Sequence, residues 1–159
     1  MDALYPLNII ADALRRSGLG DAVLIGNMGA AVRGARVLTD DFDYMVPPFR
    51  DLSRRIRKMG HILNAKVYPP KRAYGTTMLL VEETHLQICL LVRADGITSF
   101  RALRTRATPY EEIGGTPVAS LRDIIRSKRA AGRPKDLAIL PELEATLDEI
   151  EDKRRHLRR

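Results

Sequence analysis

Tryptophan is absent from this chain of 159 residues, and phenylalanine and tyrosine number only three and five. The core must therefore be largely aliphatic, and there is little aromatic surface on which the bases of a single strand could stack. Cysteine occurs once, at Cys89. A single thiol excludes an intrachain disulfide and any cysteine metal cluster, and its place in an apolar run reads as a buried, inert thiol in a reducing compartment. No apolar run approaches the roughly eighteen residues of a membrane helix. The start MDALYPLNII lacks the basic region and small-residue cleavage site of a signal peptide, so a cytoplasmic protein without membrane contact is expected.

Acidic charge is also in short supply, since 27 Lys and Arg against 20 Asp and Glu leave a net charge of +7. Arginine supplies 21 of the 27, and its planar fork suits phosphate oxygens better than a lysine point charge does. The excess sits in clusters at Arg54, Arg55, Arg57 and Lys58, at Arg101, Arg104 and Arg106, from Arg122 to Arg133, and from Lys153 to Arg159. Any one cluster is also what a solvated helix face looks like. Their sum points to an anionic partner such as RNA, DNA or a nucleotide.

What is present is ordinary for a soluble globular protein: 45% hydrophobic and 30% charged residues, enough chain for one domain. Leu7, Ile10, Ala11 and Leu14 predict a first helix, broken by Gly18 to Gly20 before a strand over Ala22 to Ile25. A basic helix is expected from Arg50 to Met59, stopping at Gly60. Strands follow over 65–68, 76–81 and 86–92, separated by a turn from Pro69 to Gly75 and a second at Glu83-Thr84. A helix from Ser99 to Arg106 and a hairpin at Gly114-Gly115 complete a core over 1–119. Helices are predicted over 120–152, with Pro141 starting or kinking the last, and a basic tail over 153–159 that frays.

Within this frame, residues 25–46, IGNMGAAVRGARVLTDDFDYMV, carry the chemistry. A hydrophobic strand enters Gly26-Asn27, a short helix-compatible segment follows, and then Phe42, Tyr44 and Val46 alternate with Asp41, Asp43 and Met45. At strand periodicity both carboxylates share one face. Two acids side by side repel, so a fold keeps them only where a cation, a basic partner or open solvent absorbs the charge. Mg2+ prefers hard oxygen ligands and is held by one or two carboxylates plus substrate phosphates. Glycine at 26 lets backbone amides approach a triphosphate. A bare Asp-x-Asp is equally an acidic turn beside a solvated strand residue.

This segment resembles the signature of the nucleotidyltransferase superfamily, the polymerase-beta-like fold, and most nearly its minimal, AbiEii-like branch. In that family a strand ends in Gly-Gly or Gly-Ser, a helix follows, and an Asp-x-Asp strand comes ten to fifteen residues later. Gly26, Asn27, Asp41 and Asp43 occupy those places, and Gly34 and the Arg36-x-x-Thr39 spacing match the minimal branch. The resemblance implies an α/β (α+β) domain with a mixed sheet flanked by helices and with C-terminal helices. It also implies Asp41 and Asp43 as magnesium ligands, with Gly26, Asn27, Arg36 and Thr39 on the nucleotide side. Asn27 departs from the family's serine or glycine. Gln87 departs further, standing where a strand usually carries a third carboxylate, and an amide accepts no proton at neutral pH. Glu82, Glu83 and His85 are near it in sequence.

A second constellation lies in SLRDIIRSKRAAGRPKDLAIL, residues 120–140. Ser120 and Asp123 have capping-box spacing and predict a helix start. Leu121, Ile124, Ile125 and Lys128 fall on one stripe. Lys128 then either snorkels past the core to water, the commoner case, or points into a cleft where it would offset triphosphate charge. The AbiEii-like resemblance extends here, since such transferases carry a helical lysine followed by an arginine or lysine and an aspartate. Lys128, Arg133, Lys135 and Asp136 match, with Pro134 opening the next helix. Nucleotide contacts by Lys128, Arg133 and Asp136 are implied, with Lys128 joining Asp41 and Asp43 in catalysis.

The expectation is a Mg2+-dependent nucleotidyltransferase that moves a nucleoside monophosphate from a nucleoside triphosphate to a hydroxyl of RNA, such as tRNA, or of a protein. The resemblance adds a toxin or antitoxin partner. The competing expectation, motivated by Gln87 and Asn27, is a degenerate member that binds nucleic acid or a partner protein without turnover.

Overall fold

The computed structural model describes residues 4–72 and 75–159. Chain order runs α1 (Tyr5–Arg16), β1 (Val23–Ile25), α2 (Gly26–Val32), β2 (Asp41–Met45), α3 (Leu52–Leu63), β3 (Ala65–Tyr68), β4 (Thr77–Val81) and β5 (Leu86–Leu91). After these come α4 (Phe100–Arg106), β6 (Thr108–Tyr110), a 3-10 turn at Glu111–Ile113, β7 (Thr116–Val118), α5 (Leu121–Ala131) and α6 (Pro134–Leu157). Of the turn expected over 69–75, positions 73 and 74 lie outside the described residues. Among the described residues no helix is long and apolar enough to cross a membrane.

One mixed seven-stranded sheet in the order β3-β4-β5-β2-β1-β7-β6 forms the frame. β2 lies antiparallel to β1 and parallel to β5, which places it near the middle. Strand alternation then divides the molecule. Leu24, Phe42, Tyr44, Ile88 and Leu90 face one side and pack with Leu7, Ile10 and Leu14 of α1 and Ile56 and Met59 of α3. Val23 and Met45 face the other side and pack with Leu121, Ile124 and Ile125 of α5 and Leu140 and Leu143 of α6. Fully burying one such side chain stabilises by about 1.5–3 kcal/mol. Asp41 and Asp43 have the parity of Met45, so they lie on the α5/α6 side of the sheet.

Three elements depart from the sequence expectation. α3 runs through Gly60 to Leu63 and ends on Asn64, whose left-handed φ of 49° closes the helix. Gly60 is there because a side chain would meet Val67 at 2.7 Å, so the glycine lets β3 approach the helix and does not stop it. α6 likewise passes through Pro141 as one helix of 24 residues, with Pro134 in its first turn. The basic end is not a separate tail, because the same helix carries it to Leu157. The Ser120 cap forms as expected, its Oγ accepting from the Asp123 N–H at 3.1 Å. Asp123 reaches back to the Ser120 hydroxyl, which donates to its Oδ2 at 3.0 Å. Its carboxylate, 1% exposed, takes a bidentate pair from Arg106 at 2.8 and 2.9 Å and ties α4 to α5.

Candidate functional site

The site is built where β1 ends and β2 and β5 begin. Parallel register sets Asp41 opposite Gln87 and Asp43 opposite Cys89, so four polar side chains of one parity meet across two neighbouring strands. Antiparallel register sets Asp43 opposite Ile25, beside the start of α2. Gly26 is required here. Its φ is +66°, and a Cβ at this position would stand 2.7 Å from Asp43 Oδ2. The turn and the carboxylate are therefore in mutual contact, which a glycine alone allows. Asn27 follows, its Oδ1 buried and without a hydrogen-bond partner among the described residues.

Asp43 sits in an environment unfavourable to its own charge. Burial raises its pKa above the ordinary 3.8, and the neighbouring Asp41 carboxylate raises it further; a hydrogen bond from the Cys89 thiol and the charges of Lys128 and Lys135 act in the opposite direction. Cys89 is correspondingly pushed up to about 11, first by burial and then by both aspartates. The thiol is thus unreactive, as read from the sequence, yet it is only half-buried and touches the site. Sequence reasoning passed over its role. The signal was available in the alternation of Gln87, Cys89 and Leu91, but only the register with β2 gives it a partner.

α5 and α6 deliver the second constellation to this face. Lys128 is 12% exposed, so its side chain is packed inward rather than snorkelling to water. Its Nζ lies 3.5 Å from Asp136 Oδ1. Asp136 is buried and accepts from Arg133 Nε at 2.6 Å and Nη2 at 3.3 Å. Burial pushes the Asp136 carboxyl up, but the hydrogen bond and charge of Arg133, with Lys128, outweigh it and leave the pKa below its ordinary value. Asp136 therefore holds two cations in place. The charge of Asp43 reaches both Lys128 and Arg133.

The other expected residues make structural contacts. Thr39 Oγ1 accepts from the Asp41 backbone N–H at 3.1 Å and fixes the entry to β2. Arg36 donates its backbone N–H to Glu142 Oε1 at 2.8 Å, anchoring the 33–40 segment to α6, and is exposed. Glu82 pairs with Lys66 at 2.8 Å on the β3 side, and His85 is an exposed turn residue with a φ of 57°. Neither supplies the acid missing at Gln87. Among the described residues, no group of three or more His, Cys, Asp or Glu side chains is arranged to hold a metal. Two hard carboxylates with an amide opposite fit a magnesium ion that takes its remaining ligands from water and phosphate.

No protein-family model matches the sequence, and no curated protein matches it significantly. Solved structures do match. A solution structure of the antibiotic-resistance factor ANT(2'')-Ia aligns over 99% of this chain and 97% of its own, at 16% identity and a TM-score of 0.60. A crystal structure of ANT(2'')-Ia in complex with adenylyl-2''-tobramycin aligns over 99% and 98%, at 16% identity and a TM-score of 0.64. The chain thus has a nucleotidyltransferase-like fold, a seven-stranded mixed sheet flanked by helices.

Proposed function

We propose that the protein transfers a nucleoside monophosphate from a nucleoside triphosphate to a hydroxyl acceptor. One observation carries this reading: α5 and α6 bring Lys128, held by buried Asp136, within electrostatic reach of Asp43. Carboxylates for a metal and cations for a triphosphate then share one side of the sheet, which an acidic turn on a solvated strand would not require. In this reading Asp41 and Asp43 hold Mg2+, and Lys128 and Arg133 offset phosphate charge. The contact between Gly26 and Asp43 sets the turn against the metal platform, with Asn27 on the nucleotide side. When bound, Mg2+ would supply charge stabilisation to the transferring phosphoryl group. Arg36 and Thr39 lie on the nucleotide side, where the Arg36 backbone N–H and the Thr39 hydroxyl hold the segment that enters β2.

The acceptor is a choice between an anion and a cation. The comparison complex contains an adenylylated aminoglycoside, and aminoglycosides are polycations. This chain carries +7, and the charges of Lys128, Lys135 and Arg133 interact with Asp43. A polycationic acceptor would be repelled, so RNA such as tRNA is the acceptor we assign, followed by a protein hydroxyl. The assignment to the AbiEii-like branch, and with it a toxin or antitoxin partner, rests on the spacing of Lys128, Arg133 and Asp136. Incubation with each α-labelled triphosphate, Mg2+ and either tRNA, tobramycin or a protein lysate tests the choice. Label on tRNA is expected. Label on tobramycin alone would overturn the acceptor assignment, and no label on any acceptor beyond an Asp41→Ala/Asp43→Ala control would favour a binding module without turnover, the alternative that Gln87 supports.

A further inference from the structure

A second basic site lies away from the carboxylates, on the opposite face of the sheet. The last turn of α1 and the first turns of α3 flank a half-open cavity of about 360 Å³, lined by Arg15, Arg16, Gly18, Arg54, Arg55 and Lys58 with Ser17. α1 leads into the start of β1, and α3 follows the end of β2. The cavity therefore lies toward the Val23/Met45 end of the central strands, whereas Asp43 pairs with Ile25 at the other. α1 and α3 also cover the α1/α3 side of the sheet, away from α5 and α6.

The lining has five cations and no carboxylate. Arg55 is held from three directions: Nη1 donates to the Gly18 carbonyl at 2.6 Å, Nε donates to Asp51 at 2.8 Å, and the guanidinium lies 3.9 Å over the Phe49 ring. Arg15 and Arg16 are steadied by Asp12, and Arg54 by Asp51. Two carboxylates against five cations leave a net +3 around one concavity. Lys58 has no ion-pair partner among the described residues. The carbonyls of α1 are already used, since Ser17, Gly18 and Leu19 N–H groups bond back to Ala13, Arg15 and Leu14. The cavity thus offers an anion preset guanidinium donors and one ammonium without an ion-pair partner among the described residues.

We infer that this cavity binds consecutive phosphates of a polynucleotide backbone. Its volume of about 360 Å³ leaves room for more than one phosphate. No aromatic side chain lines it, so bases are not stacked and the strand is gripped through its backbone without sequence preference. The inference stands whether or not the carboxylate site turns over.

The test is fluorescence anisotropy of a labelled 12-residue single-stranded RNA with the full chain over a KCl series. The comparison is between wild type, Arg16→Gln/Arg54→Gln/Lys58→Gln, the single variant Lys58→Glu, and Arg154→Gln/Arg155→Gln/Arg158→Gln, with folding checked by circular dichroism. We expect the triple cavity variant to bind at least tenfold more weakly at low salt, with the slope of log affinity against log salt reduced by roughly 0.7 per lost phosphate contact. Lys58→Glu should weaken binding in the same direction, while the α6 variant stays within about twofold. Unchanged binding in the cavity variants, or loss in the α6 variant alone, would overturn the inference. Inorganic tripolyphosphate that binds the cavity while the strand does not would assign it to free oligophosphate and likewise reject a polynucleotide.

Discussion

Replacing Gly26 by alanine isolates the contact on which the candidate site depends. At φ +66° an L side chain is strained, and its Cβ would stand 2.7 Å from Asp43 Oδ2, well inside the 3.4 Å at which ordinary contact begins. The left-handed backbone costs about 1–2 kcal/mol, and the lower entropy of the unfolded alanine chain offsets about 0.4–1 kcal/mol. The carboxylate must also retreat by about 0.7 Å, the gap between those two distances. A net loss of about 1–2 kcal/mol is expected, or roughly 2–8 °C in Tm for a chain of this size. Magnesium tolerates little distortion of its 2.0–2.1 Å octahedron, so stabilisation by Mg2+ and nucleoside triphosphate should be lost as well. Gly115→Ala is the control: its φ is +73° and nothing lies within 4 Å of the added Cβ, so it should carry the backbone cost alone and keep ligand stabilisation. Urea denaturation and thermal scans with and without ligand measure both quantities. Equal stability loss in the two variants, with ligand stabilisation kept in Gly26→Ala, would refute the claim that the turn and Asp43 form one site.

Four further outcomes follow from the same geometry. The raised pKa of Asp43 means the folded chain holds this proton more tightly than the unfolded chain, so its contribution is stabilising at low pH and is lost as pH rises from about 3.8 through the folded value. Asp43→Asn should therefore raise metal-free stability at pH 7, measured by urea denaturation, while abolishing stabilisation by Mg2+. Asp136→Ala leaves Lys128 buried without its partner and should cost about 2–4 kcal/mol in urea denaturation, since part of the Arg133 charge is screened by water. Because the Asp136 pKa is lowered, its stabilisation is present above about pH 3.8 and fades as pH falls through the folded value, which an acid titration of wild type against Asp136→Asn reads out. Tyr44→Phe should stabilise by about 1 kcal/mol in the same denaturation assay, because the fully buried phenol has no hydrogen-bond partner among the described residues.

The parts of the site that were legible in the sequence are local ones. Alternation put Asp41 and Asp43 on one face, the glycine turn marked the end of β1, and Ser120 began α5 where its spacing with Asp123 predicts. What escaped depends on pairing between distant segments. Gly60 reads as a helix stop until β3 is seen to need its missing side chain, and Cys89 reads as core until register sets it against Asp43. Pro141 reads as a helix start or kink because its ring removes one hydrogen bond, but Leu140 and Leu143 on either side are buried with residues of α5, and α6 runs through it. The inward direction of Lys128 is a tertiary fact of the same kind, since Asp136 lies on the next helix. Gln87 was legible as a departure, and the structure sets no carboxylate in its place among the described residues.

The central claim is that the β2 carboxylates and the α5/α6 cations form one metal-nucleotide site. Isothermal titration calorimetry of Mg2+ and nucleoside triphosphate into wild type, Asp43→Asn and Lys128→Met tests it most directly. The account predicts binding by wild type that requires Mg2+ and falls at least tenfold in each variant, although the two residues lie on different elements. Binding of every triphosphate left unchanged in both variants, or independent of Mg2+, would contradict it.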